Sequence, residues 1–308
     1  MTALATRAAA PATSVLLRLA RIEALRYARH PLFVIGLLLA LASSGTYGPV
    51  ELDHQVVPAF FIGVFGIVVA SRLTTSTDTS RPVVAAAPVV EPVRTAALCL
   101  ACAVPASAGL LVVVVHRILV QADPPQSYEY AGYGATDRLW ITIAIPVVAC
   151  AGGPLLGVLV GRWLRFPGAT VLAVLAVLLW SQVGAYYPAQ RLDSESLFAR
   201  TLHLFTPYTA FLETNAGSNA PPTLVTAYTG SAFWFLVWTV ALCVMAASAA
   251  IARGATGRLR RVVVRWFAAA VAVAAAALIL GVSTGADHLV YYTPDGHSGP
   301  VKPAVPDA

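Results

Sequence analysis

Charge is what this chain has least of. Asp, Glu, Lys and Arg make up only 11% of its 308 residues, where a soluble domain carries about 25%. So few charges cannot solvate a globular surface, and a soluble fold is excluded. Lysine is nearly absent: Lys302 stands alone against 19 arginines. Cysteine is sparse, and Cys99, Cys102, Cys150 and Cys243 all fall within apolar runs. Cys99 and Cys102 form a C-x-x-C. With no second pair and no neighbouring His, they read as small apolar residues rather than a zinc or redox site. The sequence also has no G-x-x-x-x-G-K-[ST], no H-E-x-x-H and no G-x-S-x-G. These absences exclude a P-loop nucleotide site, a zincin and a nucleophile elbow.

What fills the chain instead is apolar. Hydrophobic residues are 58% of the total and the mean hydropathy is +0.75. A helix needs about 20 apolar residues to span the hydrocarbon core. Seven stretches qualify: 32–49, 56–71, 95–115, 139–161, 169–187, 229–252 and 267–285. The second is short and the seventh is rich in Ala. None has an Asp, Glu, Lys or Arg in its interior. A carrier driven by protons or sodium keeps such groups in the membrane to bind and relay, so a self-powered carrier is disfavoured.

The arginines give an orientation. With the N-terminus in the cytoplasm, the inner segments hold 15 of the 20 basic residues, and the outer ones hold 11 of the 14 acids. That asymmetry predicts a cytoplasmic N-terminus and an extracytoplasmic C-terminal tail, 286–308. The net charge of +6 follows from basic loops facing anionic lipid and needs no nucleic acid. The first apolar run begins about 30 residues in, behind a basic segment, and reads as a span rather than a signal peptide. Abundant Ala, Val and Arg suggest a GC-rich bacterial genome, hence a bacterial plasma membrane.

The expected organisation is one membrane domain. Residues 1–30 form a cytoplasmic segment with an interfacial amphipathic helix. Residues 31–252 form a six-span core. A basic linker, 253–266, leads to an additional transmembrane helix at 267–285. In the N-terminal helix Leu16, Leu17, Ala20, Ala24 and Tyr27 share one face, while Arg18, Arg21, Arg26 and Arg29 share the other. Glu23 lies among these arginines. His116 and Arg117, at the end of the third span, are expected to snorkel outward. The stretch 196–213 is amphipathic, too short and too charged to cross, and broken at Pro207, which suggests re-entrant helices. The histidines are scattered. A metal site from His203, His288 and His297 is the alternative to plain interfacial histidines. With Glu213 the same residues could make an extracytoplasmic polar site, as in a membrane enzyme or assembly factor.

Three segments carry a family likeness. RIEALRYARHPLF, 21–33, is an interfacial helix running into the first span. RPVVAAAPVVEPVRT, 81–95, is an apolar turn braked by prolines after the second span. HLFTPYTAF, 203–211, is an aromatic–Pro step between the fifth and sixth. With these the chain resembles the membrane subunit of ABC-2-type exporters. The resemblance covers about residues 18–253, and a seventh span is extra to the family's core of six.

The resemblance implies an all-α polytopic fold and a permease powered by two copies of a separate ABC ATPase, which would hold ATP and Mg. The chain itself would bind no cofactor and would not be an enzyme. It would pair with a second copy or a related permease. Arg81, Pro82, Val83, Val84, Ala85, Ala86, Ala87, Pro88 and Arg94 would form the ATPase-coupling segment. Arg18, Arg21, Glu23, Arg26 and Arg29 would mark the interfacial helix. His203, Phe205, Pro207, Tyr208 and Phe211 would belong to the re-entrant part. Candidate pathway residues are Phe60, Phe61, Phe65, Trp180, Tyr186, Phe233 and Trp234. Apolar walls imply an amphipathic or lipid-like substrate.

Overall fold

The computed structural model describes residues 12–44, 51–79, 89–122, 135–164, 166–190, 197–209, 214–215, 225–228, 230–284, 289–292 and 298–300. Helix dominates them. Helix α1 (Ala12–Ala28) meets α2 (Pro31–Ser43) at an angle of 63°. The bend has a local cause. A residue before proline is pushed out of the helical region, and His30 is extended at φ −71°, ψ 129°. Its ring Nδ1 then accepts from the Leu32 N–H at 3.3 Å, and Pro31 opens the new helix.

Helices α3 (Glu51–Pro58) and α4 (Phe65–Thr79) join through a wide π turn, Ala59–Val64. Pro58 lacks the N–H that an α turn would use, and the ladder widens just beyond it. The same device recurs at Pro146, inside the π turn Ala144–Ala149 that links α7 (Ala135–Ile143) to α8 (Cys150–Trp163). Between these pairs run α5 (Glu91–Ala101) and α6 (Ala103–Ala122). Gly168, at φ +94°, turns the chain from α8 into α9 (Ala169–Gln190). A short α10 (Leu197–Leu204) precedes α11 (Ala232–Ala252) and α12 (Gly257–Ser283).

Five segments are long and apolar enough to cross a membrane: Gln55–Ser76, Glu91–Leu119, Thr136–Trp163, Ala232–Ala252 and Gly257–Ser283. The bent pair α1–α2 passes the same test only when counted as one span, and Ala169–Gly184 is a shorter apolar helix. Each of the seven apolar stretches therefore coincides with a helix. The chain is a multi-pass α-helical membrane protein.

Three features depart from expectation. The stretch 253–266 is no linker: from Gly257 onward it is the start of α12, carrying Arg258, Arg260, Arg261 and Arg265 on exposed helical turns. His116 does not snorkel but is buried, its Nδ1 3.4 Å from the Ser44 carbonyl. Nor is the chain helical throughout. Strands β1 (Thr214–Asn215), β2 (Val225–Tyr228), β3 (Leu289–Tyr292) and β4 (Ser298–Pro300) form an antiparallel sheet in that order. Tyr228 pairs with Leu289, and Val225 with Tyr292. Strand β2 leads into α11 and β3 follows α12, so their pairing closes the open end of the α11–α12 hairpin. Strands β3 and β4 thus lie on the same side of the bundle as β2. Over 27 residues α12 runs about 40 Å, enough to cross.

The core has two parts. One gathers Ile141, Ile145, Phe205, Tyr208, Phe235 and Trp238; the other gathers Tyr27, Phe33, Ile62, Val69, Val112 and Val158. Between them α4 lies against α8 along Gly153, Gly157 and Gly161, a G-x-x-x-G-x-x-x-G repeat. A Cβ at Gly153 would strike the Gly63 carbonyl, and one at Gly157 the Ile67 carbonyl. At Gly161 it would meet Thr74 at 2.9 Å. Small residues let backbones approach closely where lipid supplies no hydrophobic drive between helices.

Gly157→Val should therefore cost at least about 1–3 kcal/mol and lower the detergent-solubilised protein's resistance to SDS or heat. Gly152→Ala is the control. Its Cβ meets only the Cys243 thiol, at 3.3 Å, and stability should hold.

Candidate functional site

Two regions gather the chemistry, one at the α1 end of the bundle and one toward the sheet end. At the α1 end, Tyr27 is the anchor. It is 1% exposed, packs edge-on against Phe33 at 5.2 Å, and its hydroxyl sits where a Cβ on Gly66 would be. Arg18, Arg21, Arg26 and Arg29 are exposed. Arg26 pairs with both carboxylate oxygens of Glu23 at 3.0 Å and donates to Ser76 at 3.3 Å, tying α1 to the end of α4. One detail of the expected wheel is corrected. Leu17 is 63% exposed and shares its face with Ile22, Leu25 and the arginines. A face that alternates Leu with Arg suits a bilayer interface.

Helix α1 packs along α5, and the first turn of α5 is itself clamped. Glu91 accepts from Arg162, at the end of α8, at 3.2 Å. The Arg162 side chain is only 3% exposed, against 36% for Glu91. Gly254 packs against the stem of Glu91 at 3.1 Å from a would-be Cβ. Next door, Trp163 Nε1 donates to the Ala249 carbonyl at 2.9 Å. Arg253 donates to the Trp163 carbonyl at 3.3 Å and lies 5.4 Å over its ring. The ends of α5, α8 and α11 are thus joined by charge and ring contacts. Arg94 is half-buried on the first turn of α5. Arg81, Pro82, Val83, Val84, Ala85, Ala86, Ala87 and Pro88 lie outside the described residues.

Toward the sheet end, α10 and the turn after it fold back along α9. Thr209 Oγ1 donates to the Ser181 carbonyl at 2.9 Å. Ser181 lies nine residues before the end of α9 at Gln190, about 13 Å inward. The segment therefore enters the bundle and does not merely lie across it. Phe205 packs edge-on against Trp238 at 5.3 Å, and Tyr208 is buried with Phe60 at 6.3 Å. The described part holds one helix, not several. The side chain of His203 and the residues Phe211, Glu213, His288 and His297 lie outside the described residues. Among the described residues no group of His, Cys, Asp or Glu could hold a metal.

The expected pathway aromatics do not converge. Phe61 and Phe65 pack on each other at 6.1 Å and against Gly36 of α2. Phe233 and Trp234 pair at 5.2 Å, and Phe233 also meets Trp140 at 5.6 Å. The Tyr186 side chain lies outside the described residues. Trp180, edge-on to Trp238 at 5.9 Å, borders a cavity of about 480 Å³ between α4, α8, α9, α11 and α12. Besides Trp180 and Phe267, its walls include Gly153, Leu156, Tyr208 and Met245. Gly153, in one wall, opens a G-x-x-x-G-x-x-x-G pattern at 153, 157 and 161 that was the available sequence signal. The Glu91–Arg162 pair had no such signal, since 71 residues separate its partners.

No family model, no curated protein and no solved structure matches the chain.

Glu91→Gln takes a charged acceptor away from a guanidinium whose side chain is only 3% exposed. Glu91→Gln should destabilise by about 1–3 kcal/mol, and the double variant Glu91→Leu with Arg162→Met should recover most of that. A double-mutant cycle read by SDS unfolding measures both.

At the α1–α2 bend, burial and then the nearby Arg72 guanidinium hold the His30 imidazole below its ordinary pKa of 6.5. The unfolded chain then takes up the proton first as pH falls. Stability from the neutral ring is complete above 6.5 and drains as pH drops from there through the lower folded value. His30→Asn keeps a capping oxygen and cannot titrate. Thermal unfolding between about pH 7.5 and 5 should show a shallower acid loss than in the parent.

Proposed function

We propose that this chain is the permease subunit of an ABC-type exporter, driven by a separate ATPase. The observation that carries the proposal is the packing of amphipathic α1 along α5. Helix α5 follows the 81–88 segment in the chain, so a push delivered to that segment would reach α1 through α5. The α1 end is also rigidly tied: Glu91 to Arg162, Arg253 to Trp163, and Arg26 to Ser76. Displacement there is transmitted to α4, α8 and α11 together, because close-packed helices tilt as bodies rather than deform. Two chains facing one another would enclose a pathway that opens outward when two ATPases close on ATP. The scarcity of charge within the spans favours an amphipathic or lipid-like substrate. The proposed setting is a bacterial plasma membrane, with α1 in the cytoplasm.

The test is a pull-down of the tagged chain from its native membrane, with partners identified by mass spectrometry. A P-loop ATPase should co-purify and should be lost when Val83–Ala87 is replaced by Gly and Ser. A chain recovered alone, or with an ATPase indifferent to that replacement, would sink the proposal.

A further inference from the structure

The cavity beside Trp180 is too large and too uniform to be a packing defect. Its volume of about 480 Å³ falls in the range of small-molecule sites, where close-packed interiors leave few voids bigger than a water. It is elongated. Its walls run from Val148 in the π turn to Leu159 on α8 and from Thr239 to Ala249 on α11, a length of about 15 Å at 1.5 Å per residue. It opens sideways. Trp180 on α9 is 42% exposed and Phe267 on α12 is 36% exposed, and both border it, so its mouth faces the surroundings of the bundle between those helices.

Its chemistry is almost wholly apolar, with one polar end. No charged residue lines it. The Thr239 hydroxyl is engaged by its own helix, donating to the Leu236 carbonyl at 2.9 Å. At the re-entrant tip the situation differs. Tyr208 borders the cavity and is 4% exposed, and Ser181, behind it, is 0% exposed. The Tyr208 hydroxyl and Ser181 Oγ are buried facing one another, and beyond that mutual contact neither has a hydrogen-bond partner among the described residues. Buried polar groups without partners cost free energy, and a native fold satisfies nearly all of them. The pair keeps one hydroxyl donor to spare, and a ligand hydroxyl or carbonyl reaching Tyr208 would take it up.

We infer that the cavity is a lateral-entry site for one neutral single-chain lipid, its apolar body along α8 and α11 and its polar group hydrogen-bonded to Tyr208. The head group is neutral because the site offers no opposite charge, and an unpaired ion there would be expensive. The site is lined by residues of one chain, and it stands independently of the export proposal.

The experiment uses the full chain in phosphatidylcholine nanodiscs, with a monoacylglycerol carrying a mid-chain diazirine as the photoactivated probe. Adducts are mapped by peptide mass spectrometry. They should concentrate on peptides holding 148–159 and 239–249, and excess unlabelled monoacylglycerol should compete while a long-chain alkyl sulfate, charged at any working pH, should not. Tyr208→Phe should reduce labelling about threefold or more, the weight of one hydrogen bond. Leu156→Trp, which fills the slot, should reduce it further, and Ala246→Leu serves if the tryptophan variant fails to fold. Adducts spread evenly over the lipid-facing sides of α9 and α12, or labelling unchanged in these variants, would overturn the assignment. The readout needs no ATPase. Slot labelling without a co-purifying ATPase removes only the export proposal, and an ATPase without slot labelling removes only this site.

Discussion

The backbone contact between α4 and α8 is the constraint on which the rest of this bundle depends. In lipid, apolar side chains gain nothing by leaving the membrane for one another, so helices associate by close fit and by polar contacts. Gly153, Gly157 and Gly161 provide the fit by bringing α8 onto the carbonyls of Gly63 and Ile67 and the side chain of Thr74. Everything else is arranged around that seam. On one side Tyr27 reaches in to Gly66 and Pro154, docking α1. On the other, α9, α11 and α12 surround a space that the glycines help to leave open.

The wide turns beside Pro58 and Pro146 belong to the same design. Each falls at a close approach of two helices: a Cβ on Gly63 would lie 3.1 Å from the Ala149 carbonyl, and Gly109 abuts the Pro146 carbonyl. A π turn frees carbonyls and re-aims the side chains that follow. Gln55 and Thr142, bonded at 3.1 Å, hold the two irregular segments in register. Rigid packing near these turns and an apolar cavity beyond them suit a protein whose helices shift as units.

Much of this was legible residue by residue. Apolar runs bounded by Arg found each helix, because a bilayer imposes one length and one composition on whatever crosses it. Pro31 marked the bend between α1 and α2, and Pro207 the break in the re-entrant segment, because proline's lost N–H acts locally. The G-x-x-x-G-x-x-x-G of α8 was there to be read as a packing face. Less legible was the helical continuation of 253–266, whose arginines suggested a loop. Charge at a membrane boundary is compatible with loop or helix, and local charge does not decide between them.

The amino-acid sequence alone determined that the chain lives in a membrane, how many apolar helices it has and where they bend, since those follow from hydropathy and from proline. Only the tertiary structure decided which distant residues meet. Glu91 with Arg162, Thr209 with Ser181, and β2 with β3 across the α11–α12 hairpin are partners separated by many residues. It alone also decided that Trp180 and Tyr208 share a cavity while Phe61, Phe65 and Phe233 do not. Aromatic side chains look alike in a hydropathy profile, and whether one faces lipid, a neighbour or a void depends on helix rotation, which the close approach of glycine backbones sets.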